Sequence, residues 1–399
     1  MAQGKLNIGE RQVQVLDSLD DLSMLMGEWT EFHRSTNQRT LMHDPRNIFF
    51  ELKRHEERYS PQCVILWRHG EIECIAPFFM DCTNFHLTCS VLNLLSMKSR
   101  FLRLFGNDFL FGEGADDFDC IDVIFDVIET MRERFDIMYL ECMETSSSLW
   151  KYCNDDTRMK RMGLHQFSWS QGSDKIYRLQ MDSSYDKWLK SLPRKRRQTF
   201  SWQTRKFMEK VEGPVRLWTI RTEADVSAFL DLLDELFQTT WQAKTFGGWK
   251  RNNSKEMEYF GNMARNGMLR SYMLMEGSRP VAFLIGFQFD GTYHYEEIGY
   301  NPDYAHLGPG GVLNWLVMEE LYKGETPKVI DFGFGESTYK KVLSNMEVDA
   351  DRLFIVGTKR WLMLMQVQRM LLFLYHWVSG MIKESRIEPL IRRILKNRA

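Results

Sequence analysis

The feature that most constrains the fold is the order of elements predicted between residues 269 and 356. Three β-rich runs follow one another, and Asp290-Gly291, a strong two-residue hairpin signal, separates the second from the third. The chain then passes through the glycine loop GPGG into a predicted helix at 312–322, a strand at 328–332 and a short helix near Tyr339. Few folds place an antiparallel meander before a glycine loop, a helix and a parallel strand.

The first 170 residues also mix predicted strands and helices. The runs QCVILW and EIECIAPFFM flank Arg68-His69-Gly70 and predict a hairpin over residues 62–80. A helical pattern at 120–135 and the apolar strand IMYLEC follow. At 399 residues the chain is long for one compact domain. We therefore predict a domain over residues 1–180, a second over 181–358 and a separate C-terminal segment over 359–399.

Residues 187–210 form a strongly basic segment that Pro193 splits into a short helix and a longer one. It contains nine lysines and arginines against one acidic residue, Glu209, with aromatic residues between them. One interpretation is a solvated helical face anchored by its aromatics. The other is a landing site for an anionic group such as a phosphate, an acidic carrier protein or a nucleic-acid backbone, with Arg194 and Arg197 as substrate-binding candidates.

The rest of the composition limits the functional classes. The formal net charge of −2 argues against a dedicated DNA-binding protein. Seven cysteines without a Cys-x-x-Cys pair fit neither a disulfide framework nor a zinc site, and no HExxH motif is present, so we expect no catalytic metal. No apolar leader is visible at the N-terminus, so we expect a cytoplasmic protein.

The C-terminal segment is apolar and then basic. Its longest uncharged piece, residues 370–382, has 13 residues, fewer than the roughly 20 that a membrane-spanning helix needs. Clustered apolar residues followed by lysines and arginines predict an amphipathic basic helix. Two interpretations stay open, a helix docked on the protein's own surface and a helix in peripheral contact with the inner face of a membrane.

Residues 279–321 and the run DFGFGESTYKK at 331–341, together with the basic helix after SYDKWLKSLPRKRRQ, resemble the GNAT acyltransferase superfamily. More closely, they resemble the CelD/BcsL type, which is associated with cellulose and exopolysaccharide synthesis. The resemblance is specific over about residues 181–357. It implies an α/β fold of tandem GNAT-like halves, as in FemAB-type transferases. Each half would be a mixed, mostly antiparallel sheet flanked by helices, the first half being degenerate.

The resemblance also implies a donor site at the glycine loop. There the N-terminus of the following helix points backbone N–H groups and the positive end of its dipole at one place. In the superfamily that place holds the donor's pyrophosphate, so Gly308, Pro309, Gly310 and Gly311 are the expected contacts for acetyl-CoA or another acyl-CoA as co-substrate.

Acyl transfer needs a base for the acceptor and an acid for the leaving thiolate. The resemblance implies that Tyr339 is the acid. Glu296 and Glu297 are neighbours on a predicted strand and should point to opposite faces, so one of them can be the base, and Asp331 is the rival. His294 shares the face of Glu296 and, with Lys340, is a candidate for substrate binding.

The leading hypothesis is therefore an acyl-CoA-dependent N- or O-acyltransferase with a small-molecule or glycan acceptor, sugar-derived or amine, in polysaccharide biosynthesis. A second hypothesis replaces coenzyme A by an acyl carrier protein or aminoacyl-tRNA. It is favoured by the basic segment and by Ala305, which stands where the superfamily usually has Gln or Arg. A third makes the chain a catalytically silent GNAT-fold partner of a membrane polysaccharide synthase.

Overall fold

The computed structural model describes residues 6–89, 92–168, 174–240, 243 and 253–384. Strands and helices alternate along most of this length. The strands are β1 (Leu6–Ile8), β2 (Arg11–Leu16), β3 (Tyr59–Pro61), β4 (Cys63–Arg68), β5 (Glu71–Ala76), β6 (Phe78–Cys89), β7 (Leu92–Leu104), β8 (Leu110–Phe111), β9 (Ile137–Glu144), β10 (His165–Ser168), β11 (Asp174–Gln180), β12 (Val215–Ile220), β13 (Ser271–Glu276), β14 (Arg279–Phe289), β15 (Thr292–Tyr300), β16 (Val329–Phe334) and β17 (Met346–Val356).

The helices flank these strands. They are α1 (Leu19–Ser35), α2 (Pro45–Arg54), α3 (Asp117–Thr130), α4 (Ser148–Cys153), α5 (Asp156–Arg161), α6 (Tyr185–Ser191), α7 (Arg194–Lys210), α8 (Glu223–Thr239), α9 (Ser254–Arg265), α10 (Pro309–Leu321), α11 (Thr338–Leu343) and α12 (Lys359–Glu384). Short 3₁₀ turns occupy Leu41–His43, Arg132–Arg134 and Pro302–Leu307. The mixed α/β class with helices on its sheets is the one predicted.

The larger sheet runs continuously through both halves of the chain. Its order is β12-β13-β14-β15-β16-β11-β17-β9-β7-β6-β3, with β10 also on β17. The smaller sheet has the order β1-β2-β4-β5-β8. Strand β17 pairs along its first part with β11 and along its last part with β9 and β10. The last strand therefore joins the two halves, while the domain boundary at residue 180 stays a prediction.

The predicted hairpin over residues 62–80 needs a correction. Strands β4 and β5 do form a hairpin, and its turn residues His69 and Gly70 both have positive φ. The second run, however, breaks at Pro77, and β6 continues in the larger sheet, where it forms a long hairpin with β7. Proline has no N–H to donate to a neighbouring strand, so it is a natural place for the chain to change sheets.

The meander β13-β14-β15 has the predicted antiparallel pairing. Its last turn has Asp290 at φ 43° and Gly291 at φ 79°, as a two-residue hairpin of type I′ requires. Strand β15 pairs in parallel with β16 only from Thr292 to His294. The two strands then separate, and their separation opens a gap in the sheet.

A β-bulge lies in β15 next to this gap. Ile285 pairs with Glu297 and Gly286 pairs with Tyr295, so Glu296 is an extra residue in the ladder. Tyr293, Tyr295 and Ile298 all pack in the same hydrophobic core. Strict alternation along this strand therefore fails, and the expectation that Glu296 and Glu297 point to opposite faces loses its basis.

Helix α12 docks on the β6–β7 hairpin. Trp361 and Met365 are buried, and Trp361 packs edge-on against Phe85. The Gln368 side chain accepts from Thr88 N at 2.8 Å and donates to Thr88 O at 3.0 Å, which fastens the helix along β6. Residues 385–399 of the predicted basic helix lie outside the described residues. Among the described residues, no helix is both long enough and apolar enough to cross a membrane.

Candidate active site

A pocket of about 900 Å³ lies where β15 separates from β16, and we name it the glycine-loop pocket. Helix α7 forms one wall, the N-terminus of α10 another, and α11 the third. Its lining residues are Pro193, Lys195, Arg196, Thr199, Phe200, Gln203, Ile298, Gly299, Tyr300, Gly310, Gly311, Asn314, Thr338, Tyr339, Val342 and Leu343. Its volume lies within the range of cofactor-sized sites.

The glycine loop is shaped by one side chain of α7. Gln203 donates to Gly308 O at 3.0 Å. Gly308 has φ 66°, and a Cβ there would lie 1.7 Å from Gln203 Nε2. At Gly310 the nearest atom to an added Cβ is Tyr300 Cδ1 at 3.6 Å. The backbone conformation and the nearby Gln203 side chain therefore require glycine at position 308. Gly310 has room for a side chain, because it borders the pocket.

The first turn of α10 presents little backbone to the pocket apart from Gly310. Pro309 has no N–H and is buried, and the N–H groups of Gly311 and Val312 donate to Gly308 O. Among the described residues, Gly310 N–H is thus the first-turn amide for which no acceptor is seen. An anion at this point would meet that amide and the positive end of the helix dipole.

Cationic side chains of α7 border the same pocket. Lys195 and Arg196 line it, and Arg196 Nη1 also donates to Val342 O. The sequence-based candidates Arg194 and Arg197 are one residue away on either side and are not among the lining residues. Helical geometry explains the difference, since consecutive residues point about 100° apart.

Tyr339 stands in the pocket wall. Its ring packs 5.4 Å from the ring of Tyr295 and 6.3 Å from the ring of Phe332, centroid to centroid. Burial raises the pKa of Tyr339 to about 12, so the phenol stays protonated at neutral pH. This is the form that can donate a proton.

A second cavity of about 520 Å³, the central cleft, lies between the two halves. Both halves contribute polar and aromatic side chains to it. Its lining residues are Thr40, Met42, Phe79, Arg103, Leu104, Phe105, Gly106, Asn107, Tyr139, Glu141, Cys142, Ile176, Arg178, His294, Tyr295, Glu296, Asp331, Phe332, Gly333, Phe334 and Lys340. His294, Glu296, Asp331 and Lys340, four of the sequence-predicted residues, thus face one space.

The pKa of the Glu296 carboxyl group is raised above that of an ordinary glutamate. Its side chain is exposed and borders the cleft. Desolvation, together with the nearby Glu51 and Asp331 carboxylates, raises the pKa of Glu296 to about 7. The positive charge of Arg54 opposes this rise in the pKa. A carboxyl group that titrates near neutral pH suits a general base.

Both oxygens of the Asp331 carboxylate accept hydrogen bonds from the protein. Its Oδ2 accepts from Arg178 Nε at 2.9 Å and its Oδ1 from Gly333 N at 2.8 Å. Arg178 Nη2 in turn donates to Glu144 Oε1 at 2.7 Å. Asp331 therefore has a structural task within β16, where it holds Arg178 and the backbone of Gly333.

His294 and Lys340 complete the predicted set. Burial lowers the pKa of His294, and its Nε2 is buried without a hydrogen-bond partner among the described residues. Lys340 Nζ donates to Phe334 O at 2.8 Å, and burial lowers its pKa, opposed by Asp331. A neutral imidazole nitrogen that faces the cleft can accept a hydrogen bond or donate one, depending on its tautomer.

The first half supplies cleft residues that the sequence reasoning missed. Arg103 binds the buried Asp81 at 3.0 Å and Glu141 at 3.0 Å, and it lies over the ring of Tyr139. Arg58 also binds Asp81. No motif signals these residues, because they come from different strands and meet only in the folded sheet.

The two cavities share a wall. Tyr295 lines the central cleft, and its hydroxyl donates to Asn314 Oδ1, which borders the glycine-loop pocket, at 2.6 Å. The ring of Tyr339, tilted by 32°, packs against the same ring from the pocket side. The gap between β15 and β16 is thus the place where ligands in the two cavities can approach each other. No group of three or more His, Cys, Asp or Glu side chains that could hold a metal occurs in the described part of the chain.

Known structures share this architecture at low identity. FemX aligns at a TM-score of 0.56 with 9% identity, covering 92% of this chain and 100% of FemX. A tandem GNAT protein from the clavulanic acid biosynthesis pathway aligns at 0.52 with 10% identity, covering 87% of this chain and 98% of that one. The C-terminal domain of a putative lysylphosphatidylglycerol synthetase from Agrobacterium fabrum also aligns at 0.52 with 10% identity, covering 88% and 96%. The predicted tandem GNAT-like fold is confirmed.

Sequence comparison gives a more local result. No curated protein sequence matches the chain. The family described as acetyltransferase (GNAT) domain matches residues 194–341, which include α7, the glycine loop, Asp331 and Tyr339. The chain therefore carries an acetyltransferase (GNAT) domain over residues 194–341, and the predicted acyltransferase class is confirmed.

Proposed function

We propose that this chain binds an acyl-CoA in the glycine-loop pocket and transfers the acyl group to an amine or hydroxyl of an acceptor in the central cleft. The observation that carries the proposal is the meeting of the two cavities at the gap between β15 and β16. Tyr339 borders one cavity and Glu296 borders the other. A donor and an acceptor held on the two sides would meet between an acid and a base.

The residues of the pocket fit the phosphates of coenzyme A. Gly310 N–H and the α10 dipole supply one anion contact, and Lys195 and Arg196 supply positive charge beside it. The apolar side chains of Phe200, Ile298 and Leu343 suit the pantetheine arm and the acyl chain. When bound, the coenzyme would supply the thioester whose carbonyl is attacked.

The chain's own residues would then move two protons. Glu296 takes a proton from the acceptor's amine or hydroxyl as that group attacks the thioester carbonyl carbon. As the thioester C–S bond breaks, the Tyr339 hydroxyl would donate a proton to the departing sulfur. Each such transfer contributes roughly 10² to 10⁴ in rate when the group is well placed. Asp331 instead holds Arg178 and the backbone of Gly333 by hydrogen bonds.

We propose that the acceptor is a sugar-derived or amine compound in surface-polysaccharide metabolism. The sequence resemblance to the CelD/BcsL type supports it. The central cleft adds the rings of Phe79 and Tyr139 next to charged side chains, a lining that suits a polar acceptor with an apolar face.

A second candidate donor is an acyl carrier protein or an aminoacyl-tRNA. Exposed basic side chains of α7, among them Arg194, Lys195 and Arg205, lead to the pocket mouth. Lys206 lies over the exposed ring of Trp202, 5.1 Å from its centroid. A large anionic carrier would use this surface, whereas free coenzyme A would leave most of it unused.

Thiol release tests the proposal. The full chain is incubated with acetyl-CoA and a panel of amines, amino sugars and oligosaccharides, and free coenzyme A is measured against a no-acceptor blank. We expect acceptor-dependent release that Tyr339→Phe slows by about 10² to 10⁴. Release from an acyl carrier protein but not from acetyl-CoA would favour the second candidate. Absence of release from either donor would favour a catalytically silent partner of a polysaccharide synthase.

A further inference from the structure

Helix α12 has a second apolar face on the side opposite its docked face. Trp361, Met365 and Gln368 are buried against the protein. Six large apolar side chains on the other side are exposed, with Phe373 at 61% and Trp377 at 55% of their surface. They are Met363, Val367, Met370, Phe373, Leu374 and Trp377.

These side chains form one stripe. Positions 363, 367, 370, 374 and 377 recur at intervals of three or four residues, so they stack along one side of the helix, and Phe373 lies beside them. Strand β7 of the hairpin on which the helix docks also exposes Leu94 and Leu95. Soluble proteins rarely leave a contiguous apolar patch of this kind uncovered, and such patches mark interaction sites.

The charge of the same segment is strongly positive. From Lys359 to the last residue of the sequence there are nine lysines and arginines and two glutamates, although the whole chain carries −2. Within the described part, Lys359, Arg360 and Arg369 are exposed on α12, and Lys98 is exposed on the hairpin. The stripe is therefore bordered by positive charge.

We propose that α12 docks this protein on an anionic lipid bilayer, lying in the plane of the surface with the Met363–Trp377 stripe among the acyl chains. An exposed apolar stripe with aromatic side chains and basic flanks is the pattern of interfacial helices. Lysine and arginine side chains would meet anionic headgroups, each contributing attraction that salt screens.

Vesicle co-sedimentation of the full chain tests the proposal. The probes are vesicles of phosphatidylcholine alone and of phosphatidylcholine mixed with phosphatidylglycerol, at low and high salt. We expect binding to the mixed vesicles, at least about tenfold weaker binding to phosphatidylcholine alone, and weakening by salt. No substrate is present, so the outcome is independent of the proposed reaction.

Matched variants locate the surface. Phe373→Glu with Trp377→Glu should reduce binding to mixed vesicles at least about tenfold, because the two largest side chains of the stripe no longer enter the acyl region. Met24→Glu, on a residue of α1 that is 81% exposed, should bind as the unsubstituted chain does. Circular dichroism melting of each variant checks that the fold is kept.

Two results would overturn the proposal. One is equal vesicle binding by the Phe373→Glu, Trp377→Glu variant and by the unsubstituted chain. The other is absence of vesicle binding together with a dimer in sedimentation velocity that this double substitution dissociates, which would assign the stripe to a second copy of the chain.

Discussion

The two cavities of this protein are built in different ways. Every residue that lines the glycine-loop pocket lies between Pro193 and Leu343, and its chemistry comes from a helix N-terminus and a basic helix. The central cleft takes residues from Thr40 to Lys340, and several of its charged groups are joined in ion pairs, such as Arg103–Glu141 and Arg178–Asp331. The pocket is thus formed entirely by the second half of the chain, whereas the cleft forms only where the two halves meet.

Under the proposed function the two cavities would have different roles, because the pocket would hold the donor and the cleft would hold the acceptor. Most of the pocket's lining residues lie within residues 194–341, the part of the chain that matches the acetyltransferase (GNAT) domain family. The cleft adds side chains from β7 and β9 of the first half, Arg103, Tyr139 and Glu141 among them. We therefore expect substitutions in the pocket to affect the donor and substitutions in the first half to affect the acceptor.

The largest expected effect is at the wall between the cavities. Tyr339→Phe keeps the ring that packs on Tyr295 but removes the hydroxyl. We expect kcat to fall by about 10² to 10⁴ while donor affinity stays nearly constant. Steady-state kinetics and donor titration measure the two quantities. Full activity would return Tyr339 to a packing role.

Glu296→Gln probes the cleft side of the same wall. Because the raised pKa of Glu296 is about 7, kcat/KM of the unsubstituted chain should fall as pH drops below 7, and the variant should lose this acidic limb with most of its activity. Glu297→Gln is the control and should keep the limb. An unchanged limb in the Glu296 variant would transfer the base role to Asp331.

The same substitution has a predicted effect on stability. A carboxyl group whose pKa is higher in the folded chain binds a proton more readily there than in the unfolded chain. Its contribution to the free energy of unfolding is therefore complete below about pH 4.5 and is lost as pH rises through about 7. We expect Glu296→Gln to have a higher Tm than the unsubstituted chain above pH 7, and the difference to shrink at acidic pH. A difference that does not change with pH would contradict the placement of Glu296.

Two glycines of one loop should respond differently to the same substitution. Gly308→Leu forces a side chain into a positive φ and against Gln203, and should cost about 1–3 kcal/mol of stability. Gly310→Leu meets only ordinary contacts and should leave Tm nearly unchanged. Thermal melts measure both. Equal losses would mean that the Gly310 side of the loop is not an open pocket wall.

The smallest effect is expected at the support of the loop. Gln203→Ala removes the hydrogen bond to Gly308 O, a contribution of about 1 kcal/mol. Donor affinity should fall only a few-fold, as measured by titration. Thr199→Ala, one turn earlier on the same wall, is the comparison and should change affinity less.

The sequence could predict the elements that surround the pocket, because neighbouring residues signal where each of them begins or ends. The bounds of β15, the turn at Asp290-Gly291 and the break at Pro193 are signalled by neighbouring residues. It could not predict the bulge at Glu296, because an extra residue in a ladder depends on the partner strand. Nor could it predict β11 between β16 and β17, or the Arg103–Asp81 pair, since those contacts join residues far apart in the chain.

The central claim is that an acyl-CoA binds at the N-terminus of α10. Calorimetric titration of acetyl-CoA into the unsubstituted chain and into Gly310→Leu tests it most directly. The account predicts saturable binding at one site in the first, and at least about tenfold weaker binding in the second, because the new side chain fills the place of the phosphates. Equal binding by both chains, or no heat at millimolar acetyl-CoA in the unsubstituted chain, would contradict it.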